Sequence, residues 1–191
     1  MLTDALQFLV QTLLGLVATA FWLRFYLQWA RVPFHHPFAQ FIIRVTDFAV
    51  RPLRRIVPGL FGLDWSSLLP FLLIEILAVT LTEMIGDYPF TAAGTGIVSS
   101  LLLLGLAAAL RLVVQTFILL VIGQAVLSWV SPVSPASALF HALTAPILNP
   151  LRRIIPPIAG VDLSPIAAFI LIQLVLMLPV ALLEQSARAL M

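Results

Sequence analysis

Four of the chain's arginines stand in two adjacent pairs, and each pair sits in the same frame of residues. The first frame reads Pro52, Leu53, Arg54, Arg55, Ile56, Val57, Pro58 and continues to Gly62, Asp64 and Ser66. The second reads Pro150, Leu151, Arg152, Arg153, Ile154, Ile155, Pro156 and continues to Gly160, Asp162 and Ser164, each residue 98 positions after its counterpart with no gap. Two neighbouring guanidinium groups held between prolines can pair with the phosphate of an anionic lipid or with a carboxylate. Asp64 and Asp162 follow their arginines across a Gly-containing turn, so an internal salt bridge is one candidate. Ser66 and Ser164 are candidate helix caps, because a hydroxyl can accept a hydrogen bond from an otherwise unpaired amide at a helix start. Pro165, at what would be the first helical position, sharpens the second of these. Three readings stand side by side: topology anchors with aspartate caps, lipid recognition, and a partner-docking surface.

A second set of polar residues lies inside apolar sequence. Arg24 falls five residues before Trp29, and Glu75 seven residues after Leu68, where the next apolar run begins. These depths are similar enough for the two to pair. An ion left alone in hydrocarbon costs roughly 2.5–3.5 kcal/mol or more, so each is expected to have a partner. The matching positions of the second copy hold Gln124 and Gln173, neutral amides that can hydrogen-bond to each other. Glu83 and Arg111, towards the opposite side, form a further candidate pair. For Glu75 the alternative is a place on an ion path. His35, His36 and His141 lack metal-ligand spacing. No Ser-His-Asp arrangement, Gly-rich phosphate loop or intramembrane protease signature occurs. No catalytic residue, metal or cofactor is therefore assigned, and an enzyme is not expected. The chain has no cysteine, which removes disulfides, thiolate metal sites and covalent haem attachment, while a noncovalent haem contact through His or Met stays open.

What must position these residues is a set of membrane-crossing helices. Of the 191 residues, 62% are apolar and only 9% charged, and the mean hydropathy is +1.13, whereas soluble domains carry roughly 25% charged residues. The surrounding solvent must be lipid. The positive charge is all arginine and too sparse for a nucleic-acid face. Spans are expected over residues 5–29, 68–85, 106–129 and 165–183, each long enough to cross roughly 30 Å of hydrocarbon. Residues 97–105 are expected either to lie at the interface or to extend the third helix. Pro179 is expected to kink the fourth span. Between spans one and two, residues 38–50 place Phe38, Phe41, Ile42, Val45 and Phe48 at helical spacing, with Gln40, Arg44, Asp47 and Arg51 largely on the other side. This predicts an amphipathic helix on the headgroup surface, repeated with less charge over 138–148. The start of the chain lacks the basic flank of a cleavable signal, so the first span is expected to be retained.

Arginine density sets the expected orientation. Arg31, Arg44, Arg51, Arg54 and Arg55 lie between spans one and two, Arg152 and Arg153 between spans three and four, and none between spans two and three. The positive-inside rule puts both basic loops in the cytoplasm and both termini outside. The expected fold class is an all-α integral membrane protein, with four transmembrane helices as two parallel tandem repeats. Each repeat is a helix, an amphipathic interfacial helix with a PLRRI-x-P loop, and a second helix. The domains read as residues 1–86, a linker over 87–105, and 106–191, the repeats being related by a pseudo-two-fold axis along the membrane normal.

The order Trp129, Pro135, Thr144, Pro146, Pro150, Leu151, Arg152, Arg153, Ile154, Pro156, Pro157, Gly160, Asp162, Ser164, Pro165 resembles the YggT (YlmG) family of small bacterial and plastid membrane proteins. Copy one matches through Trp29, Pro37, Thr46, Pro52, Leu53, Arg54, Arg55, Ile56, Pro58, Gly62, Asp64 and Ser66, departing at Gly59 and Ser67 where copy two has Pro157 and Pro165. The resemblance implies a multi-pass protein of a bacterial inner membrane, in a group without an agreed molecular activity. Its relatives are linked to cytochrome b6f haem maturation, to cell division and nucleoid organisation, and to osmotic or salt tolerance. Two functions follow as expectations. The first is a membrane scaffold or assembly factor acting through cytoplasmic-face arginine loops, with anionic lipid headgroups, a membrane protein or a second copy as partner and no nucleic acid. The alternative is an oligomeric ion channel or transporter in osmotic or salt adaptation.

Overall fold

The computed structural model describes residues 1–33, 36–57, 59, 64–86, 96–155 and 162–190. Among these the regular structure is all helical: α1 (Leu2–Trp29), α2 (Pro37–Ile56), α3 (Trp65–Ile85), α4 (Ile97–Val130), α5 (Pro135–Ile154), α6 (Ser164–Val175), a π-helical turn (Leu176–Val180) and α7 (Ala181–Arg188). Four helical stretches are long and apolar enough to cross a membrane: α1, α3, α4 and the continuous run from Ser164 to Arg188. Their outward faces carry large exposed apolar side chains, such as Phe8, Leu13, Leu73, Leu119 and Leu171, as a lipid-facing surface requires. The expected link between the repeats falls mainly on residues 87–95, which lie outside the described residues, as do Pro58, Gly62, Pro156, Gly160 and His35.

Residues 97–105 are helical and continuous with α4, a helix of 34 residues and so about 51 Å long. This helix is the spine of the structure. It packs against α3 on one side and against α5, α6 and α7 on the other, while α1 packs chiefly on α3. Two apolar clusters result. The larger joins Phe21, Trp22, Tyr26, Ile42, Val50, Phe71, Leu120, Leu139 and Leu143, and the smaller joins Val114, Val121, Leu148, Ala168 and Ile172. Tyr26 ties the repeats together, its hydroxyl donating to the Leu143 carbonyl of α5 across 117 positions of sequence.

The short helices α2 and α5 are 20 residues each and end at equivalent places, Ile56 and Ile154. Both start with a capped turn and a proline. The His36 ring accepts from the Phe38 amide at 3.2 Å and precedes Pro37, and Ser134 Oγ accepts from the Ser137 amide at 3.1 Å and precedes Pro135. Both run further than the expected ends at 50 and 148, because Pro52, Pro146 and Pro150 are accommodated inside them. A proline removes one donor, a loss tolerated in a short helix whose backbone leans on its neighbours. The arginine pairs therefore occupy the last helical turn rather than a loop, where positive charge complements the helix dipole.

The fourth span contains the sharpest local irregularity. Its buried residues are Ser164, Ala168, Ile172, Val180 and Ala187. The step from 172 to 180 is one residue too long for two α-helical turns. The π-helical turn around Pro179 absorbs that residue, so α7 keeps the same face against α4 instead of rotating away. Ser100 Oγ of α4 then donates to the Ala187 carbonyl at 2.6 Å. The expected kink is in fact this π-turn, one of the usual causes of a break in helical geometry.

Close approach of α3 to α4 depends on Gly105, where an added Cβ would lie 2.4 Å from Ile76 Cγ1 and 2.9 Å from Ile76 Cα. Gly105→Ala is expected to lower stability in detergent by about 1–3 kcal/mol through overpacking. Gly15→Ala, whose added carbon meets nothing within 4 Å, is expected to gain up to about 1 kcal/mol of helix propensity. Thermal unfolding of the two variants side by side checks both signs.

Candidate functional site

At the end of the bundle where α2 and α5 lie, each arginine pair divides its work. Arg54 forms an ion pair with the buried carboxylate of Asp64, which also accepts from Ser67 Oγ at 2.9 Å. Ser66 is not the cap of α3, because the helix starts at Trp65 with Asp64 before it. Its hydroxyl instead donates to the Val57 carbonyl at 2.8 Å and pins the end of α2 to the start of α3. In the second copy Arg152 Nε reaches Asp162 at 2.8 Å, and Arg152 also lies 3.3 Å from His141 Nε2. Ser164 is the first residue of α6, and its amide donates to Asp162 Oδ1 at 2.9 Å. Arg55 and Arg153 are exposed and have no ion pair among the described residues.

Burial pushes the Asp64 carboxyl up, but the hydrogen bonds from Arg54 and Ser67 and the charges of Arg54 and Arg24 outweigh it and hold it below the ordinary range. Asp162 is held low in the same way, burial being overcome by Arg152 and the Ser164 amide. Both folded-state values lie below the unfolded ones. Each clasp therefore contributes stability above the ordinary aspartate range, which is lost as pH falls through the lower folded value.

The intramembrane charges do not pair as their sequence positions suggest. Arg24, 7% exposed, donates to Asp47 at 2.8 Å, to Thr46 Oγ1 at 2.8 Å and to the Ile43 carbonyl at 3.1 Å, all on α2. Asp47 also holds Arg51 at 2.9 Å. Glu75 is not at the same depth. Because α3 begins three residues earlier than expected, Glu75 lies ten residues from either end of it, about 15 Å into the span. The Gln124–Gln173 pair is not formed, since Gln124 Oε1 is buried without a hydrogen-bond partner among the described residues. Arg111 pairs with Glu184 of α7 rather than with Glu83.

Towards the end of the bundle remote from the arginine pairs, α1, α3, α4 and α7 enclose a cavity of about 420 Å³. Glu75, Glu83, Arg111, Gln115 and Glu184 are among the residues lining it. Sequence reasoning missed Asp47, Thr46 and Glu184. For Thr46 the signal was present, because Thr46 and Thr144 recur at the repeat spacing and bond alike. Thr46 Oγ1 donates to the Ile42 carbonyl at 2.6 Å, and Thr144 Oγ1 to the Phe140 carbonyl at 2.8 Å.

Three expectations follow. Asp47→Ala strips the counter-charge from a buried guanidinium and should cost about 3 kcal/mol, while Glu75→Gln should cost less than about 1 kcal/mol; equal losses of melting temperature would restore an Arg24–Glu75 pair. Arg54→Ala, which leaves Asp64 buried, should destabilise by about 1–2 kcal/mol after allowance for the half-exposed guanidinium, and Arg152→Ala by less than about 1 kcal/mol. Acidification from neutrality to below about pH 4 should lower the wild-type melting temperature, and Asp64→Asn should blunt that slope.

A family model described as CCB3/YggT matches residues 3–85 and again residues 103–183. An uncharacterised protein of Pseudomonas aeruginosa is 37% identical over 179 residues, covering 93% of this chain and 89% of the relative. A Vibrio alginolyticus protein encoded 3′ of proC is 36% identical over 174 residues, covering 89% of this chain and 90% of the relative. The uncharacterised protein YggT of Escherichia coli K12 is 30% identical over 174 residues, covering 90% and 87% respectively. No solved structure matches the chain. With two tandem matches to the family model and four helices fit to cross a membrane, the chain is a multi-pass membrane protein that belongs to the CCB3/YggT family.

Proposed function

We propose that the chain is a membrane scaffold or assembly factor that presents Arg55 and Arg153 to anionic groups at the cytoplasmic face of the bacterial inner membrane. The observation that carries this reading is the split within each pair: Arg54 and Arg152 are committed to aspartates, whereas Arg55 and Arg153 are exposed and unpaired among the described residues. An uncompensated guanidinium at headgroup depth, on the last turn of a helix, suits lipid phosphate or the carboxylate of a membrane partner. The positive-inside rule favours the cytoplasm for this end and the outside for both termini. On α2, Ala39, Ile42, Thr46 and Val50 face the bundle, Phe41, Val45 and Phe48 are exposed apolar groups, and Arg44 is exposed and charged. That three-way division suits an amphipathic helix resting in the headgroup layer. The alternative, an oligomeric ion channel or transporter in osmotic or salt adaptation, draws on one observation, the polar cavity beside Glu75.

Native mass spectrometry of the protein extracted gently from its own membrane tests the scaffold reading. Wild type is expected to retain anionic lipid and a defined protein partner or a second copy. The Arg55→Gln, Arg153→Gln variant should lose them, by about 1 kcal/mol of surface attraction per arginine, with stability lowered by no more than about 1 kcal/mol per site, the helix-dipole contribution, because neither residue has an ion pair among the described residues. Adducts and partners that persist in the variant overturn the reading.

A further inference from the structure

The cavity at the other end of the bundle has no part in the arginine-face reading, and it holds, among the described residues, the one ionisable group with a buried side-chain oxygen that no partner meets. Glu75 is 7% exposed, stands at mid-span, and its Oε1 is buried with no hydrogen-bond partner among the described residues. A bare carboxylate at that depth carries a heavy electrostatic penalty that either a proton or a counter-charge must relieve, and among the described residues no arginine is within ion-pair distance of it. Arg24, the cation expected for it, is taken by Asp47, and Arg111 is taken by Glu184.

The lining states what counter-charge fits. From α1 comes the amide of Gln11, from α3 Thr82 and Glu83 besides Glu75, from α4 Arg111 and Gln115, and from α7 Glu184 and Arg188. The uncharged polar groups offer hard oxygen ligands, and no sulfur or imidazole is among them, which favours s-block cations over transition metals. Three carboxylates face two guanidinium groups, leaving one excess negative charge that a single monovalent cation balances. The π-helical turn is what brings α7 into register here, since without its extra residue Glu184 and Arg188 would rotate off the face that meets α4. π-Turns of this kind occur often at functional sites. Beneath Glu75 the cavity gives way to rings. Phe71, one turn before it on α3, packs 5.7 Å from Trp22, which lies 6.2 Å from Phe117.

We propose that this cavity is a binding site for an alkali cation, with the Glu75 carboxylate as its charged ligand and side-chain amide oxygens from α1 and α4 completing it. A proton can neutralise the same carboxylate, so the cation and the proton compete for it, and the experiment separates them.

The test uses the purified full chain in detergent, in buffer whose only bulk cation is N-methylglucamine. N,N′-Dicyclohexylcarbodiimide, which attacks protonated carboxyl groups in apolar surroundings, is added and modification of Glu75 is followed by mass spectrometry. Wild type is expected to label at Glu75. Sodium or potassium chloride, matched against choline chloride, should slow labelling by a factor of one plus the ratio of cation concentration to its dissociation constant, about tenfold at ten times that constant. The same salts should raise the melting temperature of wild type and not of Glu75→Gln. Glu83→Gln, which keeps the carboxyl at 75 and lowers the negative charge around it, should weaken the protection without abolishing labelling. A labelling rate that depends on pH alone and ignores sodium and potassium overturns the proposal in favour of a protonated structural carboxyl. So does an absence of labelling in cation-free buffer at low pH, where an empty, reachable site must react. Either result leaves the arginine-face reading intact, because Arg55 and Arg153 lie at the opposite end.

Discussion

Hydrocarbon offers a buried charge no water, and Arg24 meets that constraint with three oxygens from a single neighbouring helix: the Asp47 carboxylate, the Thr46 hydroxyl and the Ile43 carbonyl. All three come from α2, so the requirement of one guanidinium fixes where α2 lies, and through it the end of α2 where Arg54 clasps Asp64 and Ser66 holds Val57. An ion pair in this position earns little net stability over an apolar contact of equal volume, but it is costly to break from one side only. Its value is positional. It gives α2 one depth and one rotation.

The second repeat keeps the scaffold of this node and drops its charge. Gln124 replaces Arg24, Ala145 replaces Asp47, and the threonine remains, bonded to its own helix as before. The same asymmetry runs through the other half of the bundle, where Glu75 is matched by Gln173. At the arginine end both copies retain their pair, their aspartate and their serine. Duplication therefore left two versions of the arginine–aspartate clasp and one version of the charged interior, which points to separate demands on the two ends of the molecule.

Much of this was legible in the chain itself. Four apolar runs, the 98-residue repeat and the short helix between spans are written in composition and period, and the structure contains all of them. The partners of the charges were harder to read. Depth along a span can be counted from a sequence, but rotation about the helix axis decides which neighbour a side chain meets, and an error of three residues in the start of α3 was enough to set Glu75 level with Arg24. Asp47 looked like a solvated residue because it shares a side of α2 with Arg44 and Arg51; the bundle-facing stripe is Ala39, Ile42, Thr46 and Val50, and Asp47 stands beside it. The register of α7 could not be counted either, because one inserted residue at Pro179 moves every later side chain to a different face.

The length of α4 has a mechanical consequence for the bilayer. A helix of 34 residues is about 51 Å long, and a tilt at the upper end of the usual range, about 40°, still leaves it longer than roughly 30 Å of hydrocarbon. Its first turns carry Val98 and Leu102 on the surface, so the excess is not simply a polar stalk. Lipid beside those turns must stretch to cover them, or another apolar surface must do so. The spine of the bundle is thus a local thickness gauge, imposing elastic strain on one patch of one leaflet and favouring the neighbours that relieve it.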